Sequence, residues 1–386
     1  MLKFKADRIF TGSNFVDNAV LITDEAGVIE EITTNADVQD DVQSYQGTLS
    51  PGFVNCHCHL ELSYLKGMVP ERTGLVDFVI SVMSKRNYPG NQIQDAIAEA
   101  EKEMLKNGIV GVGDICNDAS TLNQKLLNNL SYYNFIEVSG FVPAFAQKRF
   151  EHGQNILSQF QQLNDQPGNL VPHAPYSTSG ELIKLINNQA HGKVLSIHNQ
   201  ETLQEETFFM TGVSEFRKLF DFFKIDISFY EPPGINSLYA TLPMLQAPSN
   251  LLLVHNTFTS PEDIFLVQQQ SENNAQDVFF CICINANKYI EDTAPPLELF
   301  RKNNCNIVLG TDSLASNHSL SIWDEIKSIH KHFPQIDLEE MLTWATWNGA
   351  KALQMDETLG SFEKGKKPGV ILIPDWNKDE KVKRLI

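Results

Sequence analysis

PGFVNCHCHLEL, Pro51–Leu62, sets four potential metal ligands, Cys56, His57, Cys58 and His59, at the end of a short apolar run. The run is short and apolar, as a buried strand should be. On an extended strand successive side chains alternate faces, so His57 and His59 point one way and Cys56 and Cys58 the other. A single metal can use one pair or the other.

Seven further runs share this form: GIVGVGDIC from Gly108, YNFIEVSG from Tyr133, NLVPHAPYS from Asn169, KVLSIHNQE from Lys193, NLLLVHNTF from Asn250, DVFFCICIN from Asp277 and NIVLGTDS from Asn306. All are rich in Val, Ile, Leu and Phe, as strands buried on both faces of a parallel sheet must be. Helical patterns lie between them. In QIQDAIAEAEKEMLKNG, Ile93, Ile97, Ala100 and Met104 fall on one face, and Gly108 sits where a C-terminal cap belongs. SGELIKLINNQAHG reads the same way, with Ser179 as N-cap and Gly192 as stop. Strand and helix alternating in this manner predict an α/β fold, a (β/α)8 TIM barrel. The span from Phe53 to Asp312 suits the usual barrel of roughly 250 residues. A doubly wound open sheet is the alternative, since periodicity does not show closure.

The two ends of the chain break the alternation. LKFKADRIF, AVLITDEAGVIEEI and QSYQGTLSPG read as short strands parted by turn residues such as Gly12 and Gly27, and GSFEKGKKPGVILIPDW returns to that style. Residues 1–50 and 357–386 are therefore expected to form one small flanking β domain, a β-sandwich, beside a barrel of residues 51–356.

The totals narrow the function. At 386 residues and 42% hydrophobic content the chain is an ordinary globule in composition. A net charge of −18 argues against nucleic acid or an anionic membrane as partner, because either wants a basic face. No apolar run is long enough for a bilayer, and MLKFKADRIF lacks the features of a signal peptide. Six cysteines in such a length make no disulfide framework, so a reducing, cytoplasmic location is expected. The partner expected is a small-molecule substrate.

In a parallel barrel, polar residues at the C-terminal strand ends converge on one face, and chemistry sits there. The ends supply His57 and His59, Asp114, His173, His198, His255, Asn285 or Asn287, and Asp312. Five of the chain's ten histidines are at these positions. Singly, each has a plainer reading: a strand-end histidine is often a hydrogen-bonded core residue, Asp312 would cap a helix, and Asp114 reads as structural. Together they form a set of imidazoles and carboxylate, which favours His57 and His59 over the cysteines. Cys56 and Cys58 then face the helical layer as packing residues. Such a set suits Zn²⁺ or Fe²⁺, and a metal there lowers the pKa of a bound water. Glu201, three residues beyond His198, stands where a proton shuttle would reach substrate; its plainer reading is a first-turn helix acid. Glu61 and Lys66 lie on the loop after the first strand, where a polar part of a substrate would be met.

PGFVNCHCHLELSYLKG, IHNQET, LVHNTF and GTDSLASNHSLSIWDEIK resemble the amidohydrolase superfamily, in its cytosine deaminase, S-adenosylhomocysteine deaminase and chlorohydrolase branch. ATWNGAKALQMDETLGSFEKGKKPGVILI is similar to the family's closing segment. The resemblance implies one metal, zinc or sometimes iron, on His57, His59, His198 and Asp312. It also implies that His255 orients the water, Asp312 accepts its proton, Glu201 protonates a ring nitrogen, and His173 touches substrate. No lysine ends the fourth strand, so the dinuclear centre of dihydroorotases is not expected. Where the family has Cys-Pro-x-Ser-Asn, this chain has Cys283 to Asn287 without the proline and serine, which leaves Asn287 as the candidate at the pocket wall. Lys367-Pro368-Gly369 replaces the usual Lys-Ala-Asp.

The function implied is a hydrolytic deaminase in which water activated by the metal attacks the amino-bearing carbon of a heterocycle and ammonia leaves. HLELS resembles enzymes acting on adenosine-like compounds, among them aminodeoxyfutalosine deaminases. A chlorohydrolase or other C–N hydrolase is the alternative enzyme, a catalytically silent scaffold the alternative of another class. A homodimer is common in such families.

Overall fold

The computed structural model describes residues 1–34, 40–86, 88–163, 166–375 and 380–386. Each of the expected runs becomes a parallel strand: β1 (Phe53–Cys58), β2 (Ile109–Cys116), β3 (Ser131–Val138), β4 (Gly168–Pro172), β5 (Val194–Asn199), β6 (Asn250–His255), β7 (Asp277–Ile282) and β8 (Asn306–Leu309). They pair in sequence as two four-stranded sheets, β4-β3-β2-β1 and β5-β6-β7-β8. This is an α/β fold of the TIM-barrel type. At the seam between β4 and β5, the His198 amide donates to the His173 carbonyl at 3.0 Å. At the seam between β8 and β1, the amides of Thr311 and Asp312 both donate to the His57 carbonyl at 3.0 Å. Cys58 and Asp312 also form an isolated parallel bridge. The sheets thus meet through the residues that carry the candidate site.

The strands read as unbroken apolar runs because both faces are buried; every residue of β1, β2 and β6 is buried. Phe53, Val112, Phe135, Leu170, Leu195, Leu253, Phe280 and Val308 belong to one core cluster with Ile97, Ala100 and Met104 of the helix Gly90–Lys106. Gly108 follows that helix at φ +80°, a left-handed conformation that an added Cβ would strain. Ser179 caps the helix Gly180–Asn187, its side chain accepting from the Leu182 amide as expected.

Between β5 and β6 the helices Leu203–Thr211 and Phe216–Phe223 bring Phe208, Phe216 and Phe220 into a second apolar cluster with Phe141 and Tyr176. Tyr176 stacks on Phe216 at 4.2 Å and meets His173 edge-on at 5.7 Å.

The chain ends build two further sheets. Leu2–Lys5, Val20–Thr23, Ile29–Thr33 and Val42–Ser44 form one. Arg8–Phe10, Phe15–Asp17, Thr48–Pro51, Val370–Ile373 and Lys383–Arg384 form the other. Phe4, Leu21 and Ile29 from the first share a buried cluster with Ile9, Leu49 and Val370 from the second. Trp376, at the end of the expected closing segment, lies outside the described residues, as do 35–39 and 377–379 of the expected small domain.

Candidate metal and catalytic site

β1 delivers His57 from a regular extended strand, and His59 follows one residue past its end. β5 delivers His198, and β6 ends on His255. Asp312 lies just beyond β8. His255 and Asp312 adopt left-handed backbone, φ 75° and 56°. That conformation costs an ordinary residue about 1–3 kcal/mol and persists where surroundings over-determine it.

The donors converge. Nε2 of His57 and Nε2 of His59 are 3.2 Å apart, and they lie 3.5 and 3.3 Å from Asp312 Oδ1. One ligand atom each from His57, His198, His255 and Asp312 falls within 4.8 Å of all the others. Burial lowers the pKa of His59, pushes that of His198 well below the usual range, and brings that of His255 down to about 4. Neutral imidazoles therefore present lone pairs to a shared centre. Burial alone would raise the Asp312 carboxyl, but the His57 hydrogen bond and the nearby His59 and His255 hold it well below the carboxylate range. Ser316 Oγ donates to the other Asp312 oxygen at 2.5 Å. A buried set of neutral imidazoles and one carboxylate fits a divalent transition metal.

Glu201 stands beside this centre, Oε1 at 3.5 Å from His255 Nε2. Burial, with Asp312 next in effect, raises its pKa well above the usual value. A carboxyl so raised keeps a proton that it can donate. His173, half-buried, lies beside His198 with ring centroids 4.9 Å apart, and its Nδ1 pairs with Ser177 Oγ at 2.6 Å. Asn287 is buried against His255: its Oδ1 pairs with His255 Nδ1 at 2.8 Å, while Nδ2 donates to the His255 carbonyl and to Thr257 Oγ1.

Glu61 is buried rather than loop-exposed. Both its oxygens accept from Asn117, from the backbone amide at 2.8 Å and from Nδ2 at 3.0 Å. Burial first, then Asp118, pushes its carboxyl up to about 8. Lys66 stays on the surface and faces Glu103 at 3.4 Å. Asp114 is structural, as expected: it pairs with the fully buried Lys125 at 2.6 Å and accepts from the Leu60 amide at 2.9 Å. Cys56 Sγ points to the Gly349 carbonyl in the helical layer, at 3.7 Å.

Glu137, near the end of β3, escaped the sequence reading. Its Oε2 lies 3.6 Å from His198 Nδ1. The available signal was a lone acid in the apolar run YNFIEVSG. Ser316 and Lys125 were also missed, because each acts through a contact that no local pattern reveals.

The sequence pattern of the amidohydrolase family matches residues 48–386. The chain belongs to the amidohydrolase family. It is 26% identical over 330 residues to an adenosine deaminase of Helicobacter pylori, covering 83% of this chain and 77% of that protein. The aminofutalosine deaminase of Helicobacter pylori, solved with methylthio-coformycin, superposes with a TM-score of 0.83 at 24% identity. That match covers 99% of this chain and 94% of the other. The atrazine chlorohydrolase of Arthrobacter aurescens, solved with zinc, gives 0.73 at 16% identity, over 96% and 86% of the two chains. The resemblance read from the motifs is borne out, and with it the α/β fold. Among the described residues no helix is long and apolar enough to cross a membrane.

Proposed function

We propose that this chain is a metal-dependent hydrolytic deaminase of an adenosine-like nucleoside, with an aminodeoxyfutalosine-type compound as the specific substrate. One observation carries the reading: four imidazoles and the Asp312 carboxylate converge at buried strand ends, with Glu201 3.5 Å from one of them, His255. The adenosine deaminase relative supports the choice of a purine-like amine. His57, His59, His198 and Asp312 would hold one metal, zinc in preference to iron. A divalent metal there supplies a Lewis acid that makes water nucleophilic near neutral pH.

The chain's own groups do the rest. His255, fixed by Asn287, orients the attacking water, and Asp312 accepts its proton through the oxygen not held by Ser316. Glu201 gives its proton to the ring nitrogen next to the amino-bearing carbon; Asp312 then passes the proton taken from water to the amino group, which leaves as ammonia as the new hydroxyl returns its proton to Glu201 and becomes the carbonyl. His173 lies against the heterocycle. Glu61 and Asn287 border the substrate through the residues they hold, Asn117 and His255. In this reading residues 51–356 form a (β/α)8 barrel, and 1–50 with 357–386 the flanking β-sandwich; the hydrogen bonds at the two seams support it. The protein acts in the cytoplasm as a homodimer, on a small molecule.

Glu201→Gln tests the assignment. Ammonia release from adenosine, methylthioadenosine and aminodeoxyfutalosine is expected to fall by roughly 10²- to 10⁴-fold while metal content stays at the wild-type level. A variant that keeps most of its activity refutes the proton-donor role. Wild-type protein that releases chloride from chlorotriazines but no ammonia from nucleosides replaces the deaminase reading with a chlorohydrolase.

A further inference from the structure

We propose that Glu205 is a positioning residue that holds the backbone turn at Gln200 and thereby aims Glu201 at the candidate metal site. The inference rests on the proton-donor reading of Glu201 given above.

Strand geometry sets the problem that this turn solves. β5 carries His198 into the group of converging donors. Side chains three positions apart on an extended strand point to opposite faces, so a β5 that simply continued would turn Glu201 away from His198. Glu201 nevertheless lies on the same side, with Oε1 3.5 Å from His255 Nε2. The residue that redirects the chain is Gln200, the first beyond β5, with φ of 47°. A residue with a Cβ rarely takes this conformation unless its surroundings impose it.

Every polar group of Gln200 is engaged. Its carbonyl accepts from the Phe258 amide at 3.1 Å. Its Nε2 donates to Asp263 Oδ2 at 2.8 Å, and its Oε1 accepts from Thr259 Oγ1 at 2.7 Å. The remaining group, the backbone N–H, donates to Glu205 Oε1 at 3.2 Å.

Glu205 is fully buried in the first turn of the helix Leu203–Thr211. At this third helical position an acid ordinarily accepts the N–H of the capping residue, here Thr202. Ser260 and Asp263 make that reciprocal pair for the helix Pro261–Asn274. Thr202 instead caps its helix through the Gln204 amide, and Glu205 reaches past it to the turn before. Burial pushes the Glu205 carboxyl up to about 7, against hydrogen bonds from the Ser237 side chain and from the backbone of Gln200 and Glu201. An oxygen remains to accept in either protonation state, so the turn depends on the reach of this side chain and not on its charge.

Two substitutions separate reach from charge. Glu205→Gln keeps the reach and removes the charge; Glu205→Asp keeps the charge and falls one methylene short. Both are compared with wild type, Glu201→Gln and the double variant Glu201→Gln/Glu205→Asp, by ammonia release from adenosine, metal content and hydrogen exchange over residues 199–202. Glu205→Asp is expected to lose roughly ten- to hundred-fold in kcat, as a displaced proton donor should, with KM changed less than about three-fold. Glu205→Gln is expected to stay within about three-fold of wild type. Added to Glu201→Gln, Glu205→Asp should cost no more than about three-fold further, because it acts through the group already removed. Exchange over 199–202 should quicken about ten-fold in Glu205→Asp at wild-type metal content. Equal kcat losses in the glutamine and aspartate variants, a full further loss in the Glu201→Gln background, or unaltered exchange overturns the proposal. If Glu201→Gln keeps most of its activity, or wild type releases no ammonia, the proton-donor reading fails separately. Exchange then decides whether Glu205 holds the turn, and a wild-type rate in Glu205→Asp refutes it. Should Glu205→Asp not fold, Glu205→Leu supplies the same comparison.

Discussion

Replacing Lys125 by Met isolates the support beneath the His57-x-His59 segment. Lys125 and Asp114 are both fully buried, with Nζ 2.6 Å from Oδ2. The ammonium also donates to Asn134 Oδ1 at 2.8 Å and to Cys116 Sγ at 3.2 Å. Burial alone would lower its pKa, but Asp114 and Cys116 raise it above the ordinary lysine value. This contribution is therefore fully present below the ordinary lysine pKa and is lost only as pH rises through the raised one. Methionine keeps the apolar stem against Tyr132 and Phe160, whose rings lie 4.9 and 5.1 Å from Nζ, and removes the charge alone.

Asp114 is then a buried carboxylate with the Leu60 amide as its main donor. Breaking a buried pair from one side costs about 3–5 kcal/mol. Urea unfolding at neutral pH, followed by circular dichroism, is expected to show a loss in that range. Adding Asp114→Asn removes the stranded charge, so the double variant should recover at least about 1 kcal/mol relative to additivity. Leu60 follows His59 directly, so metal affinity should fall in Lys125→Met and partly return in the double variant. A Lys125→Met cost under about 1 kcal/mol, or strictly additive effects, would show that Asp114 does not depend on Lys125.

Three further perturbations address other parts of the structure. Burial pushes the Glu325 carboxyl up to about 8, against hydrogen bonds from Asn285 and Asn317. The folded state then holds a proton that the unfolded chain releases near 4.5, so stability falls as pH rises from there to about 8, and Glu325→Gln should flatten that slope in urea titrations at several pH values. A Cβ on Gly310 would sit 2.9 Å from the sulfurs of Cys281 and Cys283 and from His57 Cβ; Gly310→Ala should cost about 1–3 kcal/mol and reduce metal content, and unchanged stability would show the pocket yields freely. Cys56 and Cys58 are fully buried, so replacing both by Ser should lower the unfolding midpoint and leave the metal in place, whereas loss of metal would assign the ligands to sulfur.

The parts legible in the sequence are those set by short periodicities. All the barrel strands could be read because burial on both faces forces unbroken apolar runs. The pair His57 and His59 could be separated from Cys56 and Cys58 because a strand has a period of two, and Cys56 does reach the Gly349 carbonyl on the helical side. Asn287 was legible as a site residue, but its bond to His255 spans 32 positions and follows from the β6–β7 pairing alone. Glu61 was expected on a polar loop. The structure buries it, since Asn117 and Arg86 from other segments give it partners that local composition does not show. Glu137 differs again: an acid in an apolar run reads as an interruption until the neighbouring strands set histidines beside it.

Backbone conformation at the strand ends is set by contacts distant in sequence. His57 needs only a regular strand, but His255 and Asp312 sit at strand ends with φ of 75° and 56°, and Gln200 and Asn256 beside them have 47° and 55°. None of these is glycine, so each conformation must be held from outside. Asn287 grips both the ring and the carbonyl of His255. The Asn256 amide donates to the Asn199 carbonyl at 3.0 Å and its side chain to the Leu253 carbonyl at 2.6 Å. Asp312 is fixed by its backbone N–H, which donates to the His57 carbonyl, and by Ser316, whose hydroxyl donates to its carboxylate. The backbone that turns these two donors inward is thus stabilised in good part by side chains outside the donor set, Asn287 and Ser316. Asn287→Ala should therefore disturb His255 more than the loss of one side-chain hydrogen bond would suggest, because it releases the backbone as well as the ring.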